Sequence, residues 1–234
     1  MSMIRAVLEQ SESGCIVYAP DFPGAYARGA TADQALAKLP LDVVSYCRWI
    51  GAPPPDAGDP VVVVQTASTA LTVSDADSEV LFDTERRPLG HDDYVRGKTL
   101  ALRSAADVQT LLDSIPDQDA TDLPARPTFY GDVPRTAREM VAHLNGTTAY
   151  YTSRLGVDIE PAETILASRE LAFAAMEVPG FLDDRVFTDS ANEEWTLRKV
   201  LRRFVWHDRI HARAMYRMAV RLWGPGTIAN TFQF

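Results

Sequence analysis

The sequence is poor in cysteine and has no long apolar run. Its two cysteines, Cys15 and Cys47, do not form a Cys-x-x-Cys pair, which argues against a disulfide framework and a thiolate zinc site. No apolar segment approaches the roughly 18–20 residues that a membrane span needs, and the N-terminus lacks the apolar core of a signal peptide. We therefore expect a cytoplasmic protein that does not associate with membranes.

Basic residues are in the minority, since 23 Lys and Arg residues stand against 32 Asp and Glu residues and the formal charge is -9. This balance argues against a protein that coats nucleic acid or an anionic membrane surface. The sequence also lacks glycine-rich phosphate-binding motifs and the Gly-x-Ser-x-Gly motif of serine hydrolases. Hydrophobic residues make up 46% and charged residues 24%, a balance typical of soluble chains with a packed core.

The first 73 of the 234 residues predict a small domain with the element order β-β-β-α-β. Two β-prone runs flank the turn-forming residues 11–14, which indicates a hairpin. A Pro-Asp-Phe-Pro-Gly loop at residues 20–24 precedes a third strand. These breaks are typical of short strands joined by tight turns.

The helix and the last strand of this domain have clear signals of their own. Thr31 and Gln34 form a capping-box pattern that begins the helix, and Pro40 would kink or split it. The four consecutive valines at residues 61–64 predict a buried strand, because β-branched side chains suit a pleated surface.

This order of elements resembles the HicB-like antitoxin fold over residues 3–70. The residues that carry the resemblance are Gly14, Tyr18, the loop at 20–24, Gly29 and the helix start at Thr31. It implies the fold of that family and a small RNase-like protein as a partner. A compact basic element of the kind that binds DNA in that family does not follow, so we do not expect nucleic acid as a partner.

After residue 90 the period of the apolar residues changes from 2 towards 3.6, which predicts helices. Four are expected, at residues 92–115, 134–155, 163–178 and 195–223. They favour a four-helix bundle over residues 91–223, with residues 74–90 as a connector. Residues 224–234 form a tail that frays unless its two phenylalanines dock. The fold class is therefore α+β, with two domains.

Three of the four histidines lie where such a bundle would bring them together. His207 and His211 are one helical turn apart and interrupt an apolar stripe on the last helix, and His143 lies on the second predicted helix. A His-x-x-x-His pair alone is often unremarkable, but three imidazoles from two helices suit a divalent transition metal. The sequence does not distinguish Zn, Ni, Fe and Mn. His91 is interpreted as a solvated residue near a helix start.

The histidines belong to segments that resemble the DinB-like metal-binding bundle. The segments are Arg-Glu-Met-Val-Ala-His-Leu at 138–144, Trp-Thr-Leu-Arg-Lys-Val-Leu at 195–201 and Trp-His-Asp-Arg-Ile-His at 206–211. The resemblance implies that His143, His207 and His211 bind one metal and that the chain forms a homodimer. Members of that family include transferases and isomerases that use low-molecular-weight thiols.

The last predicted helix is also strongly basic. Residues 195–223 contain eight Lys and Arg residues and one Asp, and Arg209, Arg213, Arg217 and Arg221 form a row with a spacing of four. Arg209 or Arg213 could hold an anionic substrate, with Tyr150 in the pocket wall. The alternative is a solvated face that pairs with acidic residues such as Glu163, Glu170, Asp183 and Asp184. Tyr151 and Trp206 are interpreted as core or pocket wall.

Two functions remain open at this point. The first is a metal-dependent thiol transferase or isomerase that acts on a small anionic or electrophilic substrate. The second is a non-enzymatic binding or regulatory protein, in which the HicB-like part recognises a protein partner and the bundle is a dimerisation unit. The sequence does not identify catalytic residues.

Overall fold

A computed structural model describes residues 3–56, 58–128, 131–182 and 185–234. The protein is α+β, with a small N-terminal sheet followed by helices. Its contacts define two compact units. The first contains residues 1–90, 182–202 and 233, and the second contains residues 91–181, 203–232 and 234. Each of these units combines several segments of the chain, whereas the domains inferred from the sequence are contiguous ranges. Those ranges therefore stay a prediction.

The first unit is built on a four-stranded sheet, and the predicted order β-β-β-α-β is present. Its elements are β1 (Ile4–Ser11), β2 (Gly14–Tyr18), β3 (Tyr26–Gly29), α1 (Ala32–Ile50) and β4 (Val61–Ser68). The strands lie in the order β3-β2-β1-β4. The first three are antiparallel neighbours, whereas β4 pairs parallel to β1. A parallel pair needs a crossover, which α1 provides.

The prediction that the valines of β4 are buried is wrong. Val62, Val63 and Val64 keep 38%, 37% and 46% of their surface exposed. The reason is the position of the strand, because β4 is at an edge of the sheet. A run of β-branched residues indicates a strand, but it does not distinguish a central strand from an edge strand.

Helix α1 begins as predicted and passes through Pro40 without a break. The Thr31 hydroxyl accepts a hydrogen bond from the Gln34 amide at 3.3 Å, and the helix ends at Gly51 in the left-handed conformation with φ 74°. Proline removes one backbone hydrogen bond. The neighbouring Leu39 and Val43 are fully buried, and this burial opposes that loss.

Residues 80–82, for which β-prone side chains permit a strand, run as irregular chain in the first unit. They are nevertheless buried. The carboxylate of Glu9 on β1 accepts hydrogen bonds from the amides of Glu79 and Val80 at 2.9 and 3.1 Å. It also accepts one from the Tyr18 hydroxyl at 3.1 Å. The Glu9 carboxylate therefore accepts backbone hydrogen bonds that the carbonyl groups of a neighbouring strand would otherwise accept.

All four helices predicted after residue 90 are present. They are α2 (His91–Asp113), α3 (Ala137–Ser153), α4 (Ile165–Met176) and α5 (Leu197–Trp223). The first six residues of α5 belong to the first unit and the remainder to the second. Two short hairpins that the sequence did not predict pair β5 (Pro127–Thr128) with β6 (Gly131–Asp132) and β7 (Phe187–Thr188) with β8 (Glu194–Trp195).

A buried ion pair links two of these helices inside the second unit. Arg169 on α4 and Asp208 on α5 are 1% and 0% exposed, and their closest N and O atoms are 3.2 Å apart. The hydroxyl of Ser104 on α2 also donates to Asp208. The guanidinium of Arg169 lies 3.8 Å from the centre of the Phe204 ring on α5. Asp208 therefore has a structural role and points away from the histidine face of the helix.

The C-terminal tail docks in part on the second unit. Phe232 is fully buried, and the hydroxyl of Thr231 donates to the carbonyl of Asp107 at 3.0 Å. The amide of Ala229 donates to the Ser114 hydroxyl, also at 3.0 Å. Of the two outcomes that the sequence allowed for this tail, docking is the one observed.

None of the helices in the part of the chain that the structure describes is both long and apolar enough to span a membrane.

Candidate metal centre

The second unit brings three histidines together. His143 lies on α3, and His207 and His211 lie one turn apart on α5. Residues four apart share a face of a helix. On α3, the fully buried neighbours Met140 and Leu144 fix the helix against the core, so that the half-buried His143 faces the pair on α5.

The imidazoles approach one another through the same ring nitrogen. The Nε2 atom of His207 is 3.2 Å from Nε2 of His143 and 3.1 Å from Nε2 of His211. The three ligand atoms all lie within 4.8 Å of one another. Two nitrogens bound about 2.1 Å from a tetrahedral metal are about 3.4 Å apart. The histidine cluster, defined as His143, His207 and His211, could therefore hold a metal ion.

Burial keeps these imidazoles neutral. Loss of solvent lowers the pKa of His143, and the same effect together with nearby His143 lowers the pKa of His211 to about 3. The pKa of His207 is lowered well below its usual value, first by burial and then by its two histidine neighbours. A neutral imidazole has a free lone pair of the kind that binds a metal, so the rings of the cluster could act as ligands at neutral pH.

The other ring nitrogen of His207 has its own partners on α3. Its Nδ1 atom lies 3.2 Å from the hydroxyl oxygen of Tyr151 and 3.4 Å from that of Thr147. The Trp206 ring stacks beside the imidazole, with 6.2 Å between the ring centres. The positively charged side chains of Arg203 and Arg169 add to the effects that lower the pKa of His207. Both therefore lie close enough to act on it electrostatically.

The arginines that the sequence singled out are not on the histidine face. Arg209 and Arg213 each follow a histidine by two positions, which turns them by about 200° around a helix of 3.6 residues per turn. Their guanidinium carbons lie 5.4 and 4.6 Å from the centre of the Phe234 ring. Tyr150 is 43% exposed, and its ring stacks under Arg154 at 4.1 Å. The structure thus brings the three histidines together and turns Arg209 and Arg213 away from them, while Tyr150 is exposed beside Arg154.

Several basic residues of α5 do pair with acidic residues, though not those that the sequence named. Arg221 pairs with Asp122, and in the first unit Arg202 and Lys199 pair with Glu85 and Glu193. Glu163 and Glu170 are exposed. Asp183 and Asp184 lie outside the described residues.

His91 is separate from the histidine cluster. It is the exposed first residue of α2, as its turn-like neighbourhood predicted. It lines a shallow surface cavity of about 540 Å³ with Tyr94, Lys98 and Glu177. In this cavity the Tyr94 hydroxyl and the Lys98 ammonium both donate to Glu177.

Sequence reasoning did not predict the hydrogen bonds of Tyr151 and Thr147 or the electrostatic contribution of Arg169. One signal was available, because His143, Thr147 and Tyr151 follow one another at a spacing of four on α3. The position of Arg169 depends on the packing of a separate helix, for which no local pattern exists.

Glu139, one turn before His143, is a candidate to orient that imidazole, but its carboxylate instead caps α3. It accepts hydrogen bonds from the backbone amides of Arg135 and Thr136 at 2.8 and 3.1 Å, and these bonds lower its pKa.

Comparisons with models of known families, with curated proteins and with solved structures find no match to this chain.

Proposed function

We propose that the protein binds a divalent transition metal through His143, His207 and His211, in a second unit that is a DinB-like bundle. The single observation that carries this proposal is the convergence of the three Nε2 atoms. In the first unit, the order of the strands and of α1 supports a HicB-like fold. Both family assignments rest on sequence motifs, at residues 14–31 for the first unit and at residues 138–144, 195–201 and 206–211 for the second.

The chemistry of the donor set fits such an ion. Three neutral imidazoles suit Zn, Ni, Fe or Mn and leave further positions for water or substrate. The rings are half-buried, so that the cluster is neither sealed in the core nor fully solvated. A site with three protein ligands and an open position is typical of catalytic metals.

We propose further that this site serves a thiol transferase or isomerase that acts on a small anionic or electrophilic substrate. A bound divalent metal supplies Lewis acidity and lowers the pKa of a low-molecular-weight thiol. Arg203, whose guanidinium lies 4.8 Å from the centre of the Trp206 ring, adds positive charge near His207. That charge favours an anionic substrate over a cationic one.

The metal site is tested by elemental analysis of the untagged protein and of single variants. We expect His207→Ala and His211→Ala each to lose stoichiometric metal, because each removes one of three ligands. His91→Ala is the matched control, since it removes an exposed histidine outside the cluster. Equal metal content in all four proteins would show that the cluster does not bind the metal.

One observation favours the alternative, in which the protein is a non-enzymatic binding or regulatory protein. The edge strand β4 exposes three valines, and an exposed edge can accept a strand from a partner. In this reading, an RNase-like protein binds the first unit and the bundle forms a homodimer. Co-purification of such a protein would favour this role.

A thiol-transfer assay separates the two functions. The protein is incubated with a generic electrophile, several low-molecular-weight thiols and Zn²⁺, Ni²⁺, Fe²⁺ or Mn²⁺ in turn. Turnover that requires the metal and is lost in His211→Ala supports the enzyme. Metal binding without turnover under any combination supports the binding protein.

A further inference from the structure

The hydroxyl group of Tyr151 lies beside the one nitrogen of His207 that does not face the other histidines. The distance from Oη to Nδ1 is 3.2 Å, and the two ring centres are 6.0 Å apart with the planes at 65°. The hydroxyl therefore approaches the imidazole at its far nitrogen, away from the place where the three Nε2 atoms converge. Tyr151 cannot bind the same ion at this point, but it can control how His207 binds.

The control comes from the position of the imidazole proton. A neutral histidine has one N–H and one nitrogen with a free lone pair. If Nε2 of His207 is to bind a metal, the proton must be on Nδ1, and a buried N–H needs an acceptor. Hydrogen bonds of this kind fix the tautomer and the orientation of the metal-binding rings.

Two hydroxyl groups compete to accept this proton, and the geometry favours Tyr151. The Thr147 oxygen is 3.4 Å from Nδ1, which is beyond the usual range for such a bond, and the Tyr151 oxygen is nearer at 3.2 Å. The hydroxyl of Thr147 donates to the carbonyl of Leu144 at 2.9 Å and keeps lone pairs that can accept, so the distance to Nδ1 is what favours Tyr151.

Packing holds the tyrosine in this position. Tyr151 is 6% exposed, and its ring meets the Phe204 ring edge-on, with 5.8 Å between their centres. The ring of Tyr150 contacts it on another side at 5.5 Å. Since Phe204 is on the same helix as His207, the contact that fixes the tyrosine also fixes it relative to its imidazole.

We propose that Tyr151 is a positioning residue that holds His207 in the tautomer with the proton on Nδ1 and the lone pair on Nε2. The inference rests on the proposed metal site. Tyr150, which the sequence analysis placed in a pocket wall, has no part in this hydrogen bond.

The experiment compares the wild-type protein with Tyr151→Phe, Thr147→Val and Tyr216→Phe. The last is the matched control, a tyrosine of the same unit whose ring contacts Phe234. Zn²⁺ affinity is measured by competition with a chromophoric chelator. We expect Tyr151→Phe to raise the Kd by about 10–100-fold, as is usual when a group that orients a ligand is lost. Tyr216→Phe should match the wild type.

A second readout detects the tautomer itself. In Zn²⁺-loaded protein labelled with ¹⁵N-histidine, long-range proton–nitrogen spectra report which ring nitrogen carries the proton. We expect a hydrogen-bonded Nδ1–H at His207 that exchanges faster with water in Tyr151→Phe, which a purely structural role would not produce. Thermal unfolding of the metal-free variants shows whether each is folded.

The outcomes separate the two proposals. If the wild-type protein does not bind Zn²⁺, Ni²⁺, Fe²⁺ or Mn²⁺, the proposed metal site is wrong and this inference fails with it. If the wild type binds Zn²⁺ and a folded Tyr151→Phe binds it equally well with the same His207 spectrum, only the positioning role is wrong. A loss confined to Thr147→Val would assign the role to the threonine and overturn the proposal for Tyr151.

Discussion

Each imidazole of the histidine cluster is expected to make the folded protein less stable when the pH falls. Burial favours the uncharged ring, and in the two residues of α5 the neighbouring histidines add to this effect. The nitrogen lone pair that a proton takes in the charged ring is the same lone pair that a metal ion would take in the neutral ring. The property that prepares the site for a metal therefore also makes the metal-free protein sensitive to acid.

We expect the free energy of unfolding of the metal-free protein to fall as the pH drops from 7 to 5. The pKa of His211 is about 3 in the folded chain and about 6.5 when unfolded. Between these values the unfolded chain binds the proton and the folded chain does not, so stability rises with pH. Each such histidine contributes up to about 1.4 kcal/mol per pH unit. Denaturant unfolding in the presence of a chelator, at pH 7, 6 and 5, measures the slope.

His211→Gln should have a smaller slope than the wild type over this range, because the glutamine does not titrate. His91→Gln is the matched control, because it removes an exposed imidazole outside the cluster. An unchanged slope in His211→Gln would contradict the assignment of the acid sensitivity to the histidine cluster.

At the scale of elements, the helices and their starts were largely predictable from the sequence. Their signals are local, as in the hydroxyl of Thr31 that caps α1 and the apolar stripe that α5 buries. The common face of His207 and His211 was predictable for the same reason, since their spacing of four fixes it. The α+β class follows from the change of period near residue 90.

The remainder depends on contacts between distant parts of the chain, which no local pattern encodes. The valines of β4 look alike in a central and an edge strand, and only the strand order decides their exposure. Arg202 was counted only among the eight basic residues of the last helix, and its partner Glu85 is far away in sequence. Tyr150 and Tyr151 are equivalent as residue types, and the packing of α3 against α5 determines that the Tyr151 hydroxyl lies 3.2 Å from Nδ1 of His207.

The junction between β3 and α1 provides a test of local packing. A Cβ atom on Gly29 would lie 2.6 Å from the Ala35 nitrogen and 2.9 Å from the Thr31 carbonyl oxygen. Backbone atoms of the first turn of α1 cannot move aside cheaply. We therefore expect Gly29→Ala to destabilise the protein by about 1–3 kcal/mol, the usual cost of overpacking, as measured by denaturant unfolding.

The control for this substitution is Gly58→Ala, where an added Cβ would meet no atom within 4 Å. It should change the free energy of unfolding by about 0.5 kcal/mol or less. Equal effects of the two substitutions would mean that the close approach at Gly29 is not what constrains the residue.

At the scale of the whole molecule, charge is segregated more sharply than the formal value of -9 indicates. Eight basic residues fall between residues 195 and 223, yet several of them are buried rather than displayed. Lys199 and Arg209 are fully buried, and Arg202 and Arg203 nearly so. Half of the eight basic residues are therefore buried in packing, which weakens the case for an extended anion-binding surface.

The three residues of the histidine cluster, by contrast, all belong to the second unit, which predicts where an ion bound to the cluster would stabilise the chain. An ion that binds only the folded state adds about 2.7 kcal/mol when its free concentration is 100 times the Kd. For a unit of this size, that corresponds to an increase in Tm on the order of 10 °C. We expect Zn²⁺ to slow hydrogen exchange in α3 and in residues 203–223 of α5, as measured by mass spectrometry.

The sheet of the first unit is the internal reference for this measurement, because it contributes no residue to the histidine cluster. In His211→Ala, Zn²⁺ at the same concentration should leave the exchange of α3 close to its metal-free rate. Protection of α3 that persists in this variant would place the binding of Zn²⁺ elsewhere in the molecule. The ring of His211 on α5 contacts the ring of His143 on α3. An ion held by both helices would stabilise α3 only if α5 keeps both of its imidazoles, and His211→Ala removes one of them.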